Sequence, residues 1–330
     1  MVNPKPRKSS AQTAAGTPEP YAEHTPVMRQ YLMMRDENPG VLLLYRLGDF
    51  YETFFEDAVK LNKLLGLTLT RRGKDSSGKP IPMAGVPAST LEQYLARLVR
   101  CGQSVAICEQ VGDAEQPRGM MQRKIVRIVT PGTITDNALL NEKVDSILAA
   151  WSPARSKHAE GALVRLTLSS GEFCAVKIKD DELAGELARI KPSEILIADK
   201  LQDALPEEIS VAVTTLPDWH FDAQKGAQQL RERFGLEGLV VRGLESEPEV
   251  LAAANAVLGY VEQTQREALP YIRPLVLESD SSFIALDAAT RRNLEISETL
   301  RGDDGPTLIS VLDSCSTSMG SRTMRRWLHN

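Results

Sequence analysis

The sequence predicts an α/β protein built as two mixed sheets in succession, each with helices packed on it. Three observations predict this. Short apolar runs of strand length recur, as at residues 41–44, 104–108 and 194–198. Between them lie stretches with apolar residues at helical spacing, such as Phe54, Phe55, Ala58, Leu61, Leu64 and Leu65. In the second half three strands precede a helix–strand alternation, the order of a mixed sheet covered by helices.

Residues 1–24 are rich in Pro, Ala, Ser, Thr and Lys without periodicity and read as a disordered tail. Thr25-Pro26 is an N-cap with proline at the first helical position, and the helix runs to about Asp36. The run 41–44 is a buried strand, broken by the turn residues Gly48 and Asp49. A helix is expected from near Tyr51, which puts Phe50 at a strand-to-helix corner with Glu52 two residues on. A core aromatic beside a first-turn carboxylate is the plain alternative for this pair.

Residues 67–70 alternate as a short strand. Gly73 to Lys79 matches most of a phosphate-binding loop, but Pro80 stands where the magnesium hydroxyl belongs. Pro82, Gly85 and Pro87 forbid the helix such a loop needs, so 71–79 reads as a flexible surface hairpin loop. Ser89-Thr90-Leu91-Glu92 is a capping box opening a helix that closes at Gly102. Strands at 104–108 and 124–130 complete a first domain over 25–131, followed by a linker over 132–144 with a short helical piece at 137–142.

In a second unit over 145–278, strands are expected at 146–151, 162–168, 172–178, 194–198 and 210–214. Helices are expected at 181–190, 221–234 and 248–268. Ser169-Ser170-Gly171 signals a hairpin. Asp180 and Asp181 read as a helix N-cap, not as metal ligands.

Composition bounds the function. The 330 residues are 42% hydrophobic and 25% charged, ordinary for a globular protein, with no apolar run of membrane length and no secretory signal. A cytoplasmic protein is expected. Cys101, Cys108, Cys174 and Cys315 form no CxxC pair and read as reduced, mostly buried thiols. A net charge of −5 argues against coating DNA by charge alone, since that affinity comes from Lys and Arg on phosphates. Local basic groups do occur, at Arg71, Arg72 and Lys74 and at Arg118, Arg123, Lys124 and Arg127.

The run Gly48-Asp49-Phe50-Tyr51-Glu52 resembles the Phe-x-Glu mismatch-reading motif of the MutS family of DNA mismatch-repair proteins. The stretches 82–87, 106–112, 127–135 and 286–296 resemble the same family in the same order, so the resemblance spans about 25 to 330. It implies a mismatch-recognition domain over 25–131, a ribonuclease-H-like α/β connector domain over 145–278, and the start of an all-α lever domain over 279–330. It further implies that the family's clamp and P-loop ATPase lie outside these residues. By resemblance, Phe50 stacks on a mispaired base from the minor groove of kinked DNA and Glu52 hydrogen-bonds it. Arg71 and Arg72 would contact the DNA backbone, with Met83 a groove neighbour. No catalytic, metal-binding or cofactor-binding residue is expected here, ATP and magnesium belonging to the family's ATPase. The implied partners are duplex DNA with mismatches or small loops, a second subunit in a homodimer, and a MutL-type protein. The implied location is the cytoplasm, on the nucleoid. The alternative is a non-catalytic module that binds repair partners through the connector domain.

Overall fold

The computed structural model describes residues 21–111, 122–135, 143–156, 159–205, 211–240, 243–265, 271–278, 286, 288–303 and 305–329. The expected tail lies almost wholly outside these residues, as do Arg118, the helical piece at 137–142 and most of 279–287.

Helix α1 (Pro26–Glu37) starts on its proline and ends at Asn38. Strand β1 (Leu42–Leu47) follows, and Gly48 turns the chain at φ +61°, where a side chain would be strained. Strand β2 (Phe50–Phe54) returns antiparallel, with Glu52 opposite Tyr45 and Phe50 opposite Leu47. The helix expected near Tyr51 therefore begins later, as α2 (Phe55–Leu65). Residues 50–53 alternate in burial as a strand does, and helical spacing governs only the residues after Phe54. Phe55 makes the switch at φ +56°, a region bulky residues seldom enter.

A second hairpin replaces the expected strand at 67–70 and loop at 71–79. Its strands are β3 (Thr70–Lys74) and β4 (Pro80–Pro87), and β4 also pairs with β2. The prolines of β4 lack ladder donors, and its register with β3 shifts between Arg71 and Lys74. The expected capping box does not form. The Thr90 hydroxyl donates to Pro87 O at 3.2 Å inside a single turn, and α3 (Leu91–Arg100) begins after it. Strands β5 (Val105–Val111) and β6 (Gln122–Val129) complete a sheet of order β3-β4-β2-β1-β5-β6, with β5 parallel to β1. Helix α1 covers one face, where Tyr31 and Leu32 meet Leu43, Tyr45 and Phe54. Helices α2 and α3 cover the other, where Leu61, Leu95 and Leu98 meet Leu44, Tyr51 and Val86.

The second sheet is also mixed. Strands β7 (Leu148–Ser152), β8 (Gly161–Thr167) and β9 (Glu172–Ile178) run antiparallel, and Gly171 closes the β8–β9 hairpin at φ +70°. Helix α4 (Leu183–Ile190) leads to β10 (Glu194–Ala198) and β11 (Ala212–Leu216), which lie parallel beyond β7. Helices α5 (Ala223–Val240), interrupted at Gly235 where φ is +78°, and α6 (Pro248–Gln265) precede the short β12 (Val276–Leu277), and the order is β11-β10-β7-β8-β9-β12. Most of α6 is buried against β7 and β8. Asp180 and Asp181 do not cap α4. They sit in a turn before it, where Asp180 Oδ1 accepts from Ala154 N–H at 3.2 Å. The chain then runs through α7 (Ala288–Asn293), α8 (Leu308–Leu312) and α9 (Ser318–His329). On α9, Trp327 is 76% exposed while Met324 and Leu328 are half-buried.

Candidate nucleic-acid interface

Strand alternation puts Tyr51 on one face of β2 and Phe50 and Phe54 on the other, and of those two only Phe54 is in the cluster under α1. Tyr51 is 3% exposed within the α2–α3 core and Phe54 is wholly buried under α1, whereas Phe50 is 47% exposed. Gly48, Asp49 and Phe50 form an exposed tip, tied down where Ala88 N–H donates to Asp49 O at 2.9 Å. Arg46 braces the same tip. Its Nε donates to Gly48 O at 2.5 Å and its guanidinium lies 5.0 Å over the Tyr51 ring. The Tyr51 hydroxyl donates to Glu109, and burial first, then that carboxylate, pushes the phenol's pKa up. Phe50 is thus an apolar ring held in water by a rigid base. That excludes the core-aromatic alternative for it.

Glu52 shares a strand face with Phe50, two residues along. Its side chain is 14% exposed and paired with the guanidinium of Arg72, which is 49% exposed. Gly85 stands opposite Glu52 on β4. A Cβ there would approach Tyr51 O to 3.2 Å and Glu52 Cγ to 3.4 Å, so the glycine gives the carboxylate its room.

Every residue of β3 is exposed, so Arg71, Arg72 and Lys74 line a sheet edge, with β4 between them and β2. Met83 is half-buried and pairs with Phe54 and Thr70. Phe50 pairs with Pro87, four residues further along β4, which places Met83 about 13 Å from Phe50 at strand rise. The ion pair therefore brings Arg72 to Glu52, while register places Met83 and the β3 backbone further along the sheet from Phe50. The second basic group does not join them. Arg123, Lys124 and Arg127 are on β6 at the opposite edge, and Arg123 is buried 4.9 Å over the Tyr45 ring.

The turn resembling a phosphate loop is closed by its own carboxylate. Asp75 accepts from Ser77 N–H and Lys79 N–H, both at 2.9 Å, and from the Ser77 hydroxyl at 2.7 Å. Those bonds, the Ser77 hydroxyl's foremost, hold its pKa below the usual value. An anion would find the loop's donors already turned to a negative charge. Among the described residues no group of His, Cys, Asp and Glu could hold a metal ion. The thiols are free, and contrary to the expectation of burial Cys101 and Cys315 are exposed. Burial pushes the other two up, Cys108 to about 12 and Cys174 to about 11, which makes them inert.

What the site can do is stack a flat ring, offer a carboxylate and present guanidinium groups to phosphate. Sequence reasoning missed the Arg72–Glu52 pair and the role of Gly85. Neither carries a local signal, because strands β2, β3 and β4 meet only in the folded sheet. Among the described residues no helix is long and apolar enough to cross a membrane. Family models match the chain in three consecutive blocks: MutS domain I over residues 25–138, MutS domain II over 146–273 and MutS domain III over 289–330. With mixed sheets under the first two blocks and helices under the third, the chain belongs to the MutS family of DNA mismatch-repair proteins.

Proposed function

We propose that this chain senses mismatched duplex DNA through the exposed end of β2, with Phe50 as wedge and Glu52 as the group that engages the wedged base. Many different mispairs share weak stacking and easy kinking rather than a base code, so the quantity sensed is the cost of deformation. An apolar side chain pressed between base steps from the minor groove probes that cost. A paired step resists with about 1.4 kcal/mol of stacking, part of which a mispair has already lost. Phe50 suits the task because a flat ring stacks on any base. Glu52 needs a donor on the base, which a fully paired duplex does not free. Arg71 and Arg72 reach phosphates from the sheet edge, and Met83 borders the groove from β4.

The observation that carries this reading is the exposure of Phe50 at the hairpin tip, next in sequence to the buried Tyr51. The proposed organisation is a mismatch-recognition domain over 25–131, a connector domain over 145–278 and the start of a lever domain from 279. A homodimer and a MutL-type partner, in the cytoplasm on the nucleoid, complete the proposal. The role is recognition, not catalysis. The binding-module reading draws on Trp219, an exposed ring stacked 3.7 Å from His220, the kind of rigid aromatic that anchors partner proteins. Fluorescence anisotropy with a fully paired duplex and one bearing a single G·T mispair tests the main reading. Wild-type chain should prefer the mispair and Phe50→Ala should not. Equal affinity of the wild type for both duplexes would leave only the binding-module reading.

A further inference from the structure

The closest charged contact of the candidate interface joins two residues assigned opposite partners. Arg72 would go to phosphate and Glu52 to a base, yet in the protein alone they hold each other. A guanidinium fork fits carboxylate and phosphate equally well, so the two anions compete for it. Glu52 is mostly covered while half of Arg72 faces water, so the guanidinium can swing from the carboxylate to a phosphate without any rearrangement of β3. The carboxylate cannot leave so freely. Released next to DNA without a donor, it would be a bare anion beside phosphates. Pairing with Arg72 is what makes an acidic residue tolerable at that surface.

We propose that Arg72 is a specificity-determining latch, closed on Glu52 in the free protein and on paired DNA, and opened only by a mispaired base. This rests on the proposed roles of Phe50 and Glu52. On a paired duplex no base donor is free, Glu52 keeps Arg72, and the phosphate contact is not made. On a mispair the base takes Glu52, and Arg72 passes to a phosphate. One base contact thereby adds a backbone contact 20 residues away in sequence. Discrimination includes the gain at Arg72 as well as the gain at Glu52.

The latch has a signature in salt dependence, since each phosphate contact steepens the fall of log K with log salt by about 0.9. Anisotropy titrations of the whole chain across a salt series, on paired and G·T duplexes, read it directly. For the wild type the slope should be steeper by about 0.9 on the mispair. Arg72→Gln should remove that difference by lowering the mispair slope alone. Glu52→Gln, which frees Arg72 on any duplex, should raise the paired slope to the mispair value. Arg72→Lys keeps a charge for phosphate and should restore part of the difference. On the mispair, Arg72→Gln should also cost less affinity in the wild type than in a Glu52→Gln background, because the wild type must first break the pair. A slope lowered equally on both duplexes would make Arg72 an ordinary phosphate contact. A slope unchanged on both would make the pair purely structural. Either result overturns the latch. Phe50→Ala separates the two layers: if it keeps the mispair preference, the wedge reading itself fails. If it loses that preference while Arg72→Gln acts equally on both duplexes, only the latch fails.

Discussion

The hydroxyl of Tyr260 donates to the carboxylate of Glu194 at 2.7 Å, and Glu194 is wholly buried. The same carboxylate accepts from Thr214 Oγ1 at 2.7 Å, from Gly132 N–H at 2.9 Å and from the Thr130 hydroxyl. Thr130 and Gly132 leave the first sheet after β6, Thr214 is on β11 and Tyr260 on α6. One side chain thus ties the first sheet to the second. A Cβ at position 132 would come within 2.9 Å of Glu194 Cβ and 2.8 Å of Leu148 Cδ1, so glycine is what allows the approach. Burial above all, with the neighbouring carboxylate, lifts the Tyr260 phenol well above its ordinary pKa and keeps it a donor.

Glu194→Ala should remove the shared acceptor of four donors, of which Thr214 is only partly buried and the Thr130 hydroxyl keeps Thr133 Oγ1 at 2.8 Å. At about 1–3 kcal/mol for each stranded group, a loss of about 3 kcal/mol or more is expected in urea unfolding. Glu194→Gln should cost less, because its amide oxygen still accepts. A loss below about 1 kcal/mol for the alanine variant would show that the junction does not depend on this carboxylate.

Phe50→Ala should leave the melting temperature close to that of the wild type while removing mismatch preference. Its ring is half in water, so truncation should cost far less than the ~3–5 kcal/mol of a core phenylalanine. A melting temperature lowered as far as a core truncation lowers it would return Phe50 to the core.

Glu52→Gln should keep or raise affinity for paired DNA and narrow the gap between paired and mispaired duplexes. Removing the charge relieves repulsion from phosphates and leaves a hydrogen-bonding group in place. Equal losses on the two duplexes, read by anisotropy, would count against a discriminating role.

Tyr31→Phe should destabilise the first sheet by about 1–3 kcal/mol, the cost of a stranded buried partner. The buried Tyr31 hydroxyl sits 2.9 Å from Asp57 Oδ2 and 3.0 Å from Thr53 Oγ1. Burial raises the Asp57 carboxyl above 3.8 despite that hydrogen bond. A raised folded pKa weakens the fold above the unfolded value, and the penalty fades as pH falls and both states take up the proton. Losing the Tyr31 donor enlarges the penalty, so the variant's deficit should be greatest near neutral pH and shrink in acid. A pH-independent deficit in urea titrations would point to packing alone.

His329 should make the helical end of the protein acid-sensitive. Burial, followed by the nearby cations Lys191 and Arg325, lowers its pKa from 6.5 to about 4. Between those values the unfolded chain takes up a proton that the folded chain refuses, so stability should fall as pH drops through that window. His329→Gln should flatten this part of the profile. Hydrogen exchange in α9 at about pH 7 and about pH 5, either side of the ordinary histidine pKa, is the measurement. An unchanged profile in the variant would refute the assignment.

The sequence by itself determined the two mixed sheets, the helices between them and the family. Local periodicity, punctuation such as Gly48, Gly102 and Gly171, and the Phe50-Tyr51-Glu52 run were enough for that. The β10 strand was legible to the residue, because a short apolar run bounded by polar residues has few other solutions. Tertiary structure decided the rest. Residues 50–54 became a strand rather than the start of a helix because β1 and β4 pair with both edges, and that pairing is invisible from within β2. The same pairing put Phe50 at the exposed end of the β1–β2 hairpin, and the β3–β4 hairpin carried Arg72 across to Glu52. The burial of Glu194 was likewise hidden, since its donors lie at positions 130, 132, 214 and 260. Local pattern is set by neighbours in the chain, whereas partners of charge and hydrogen bonding are set by which strands come to lie side by side.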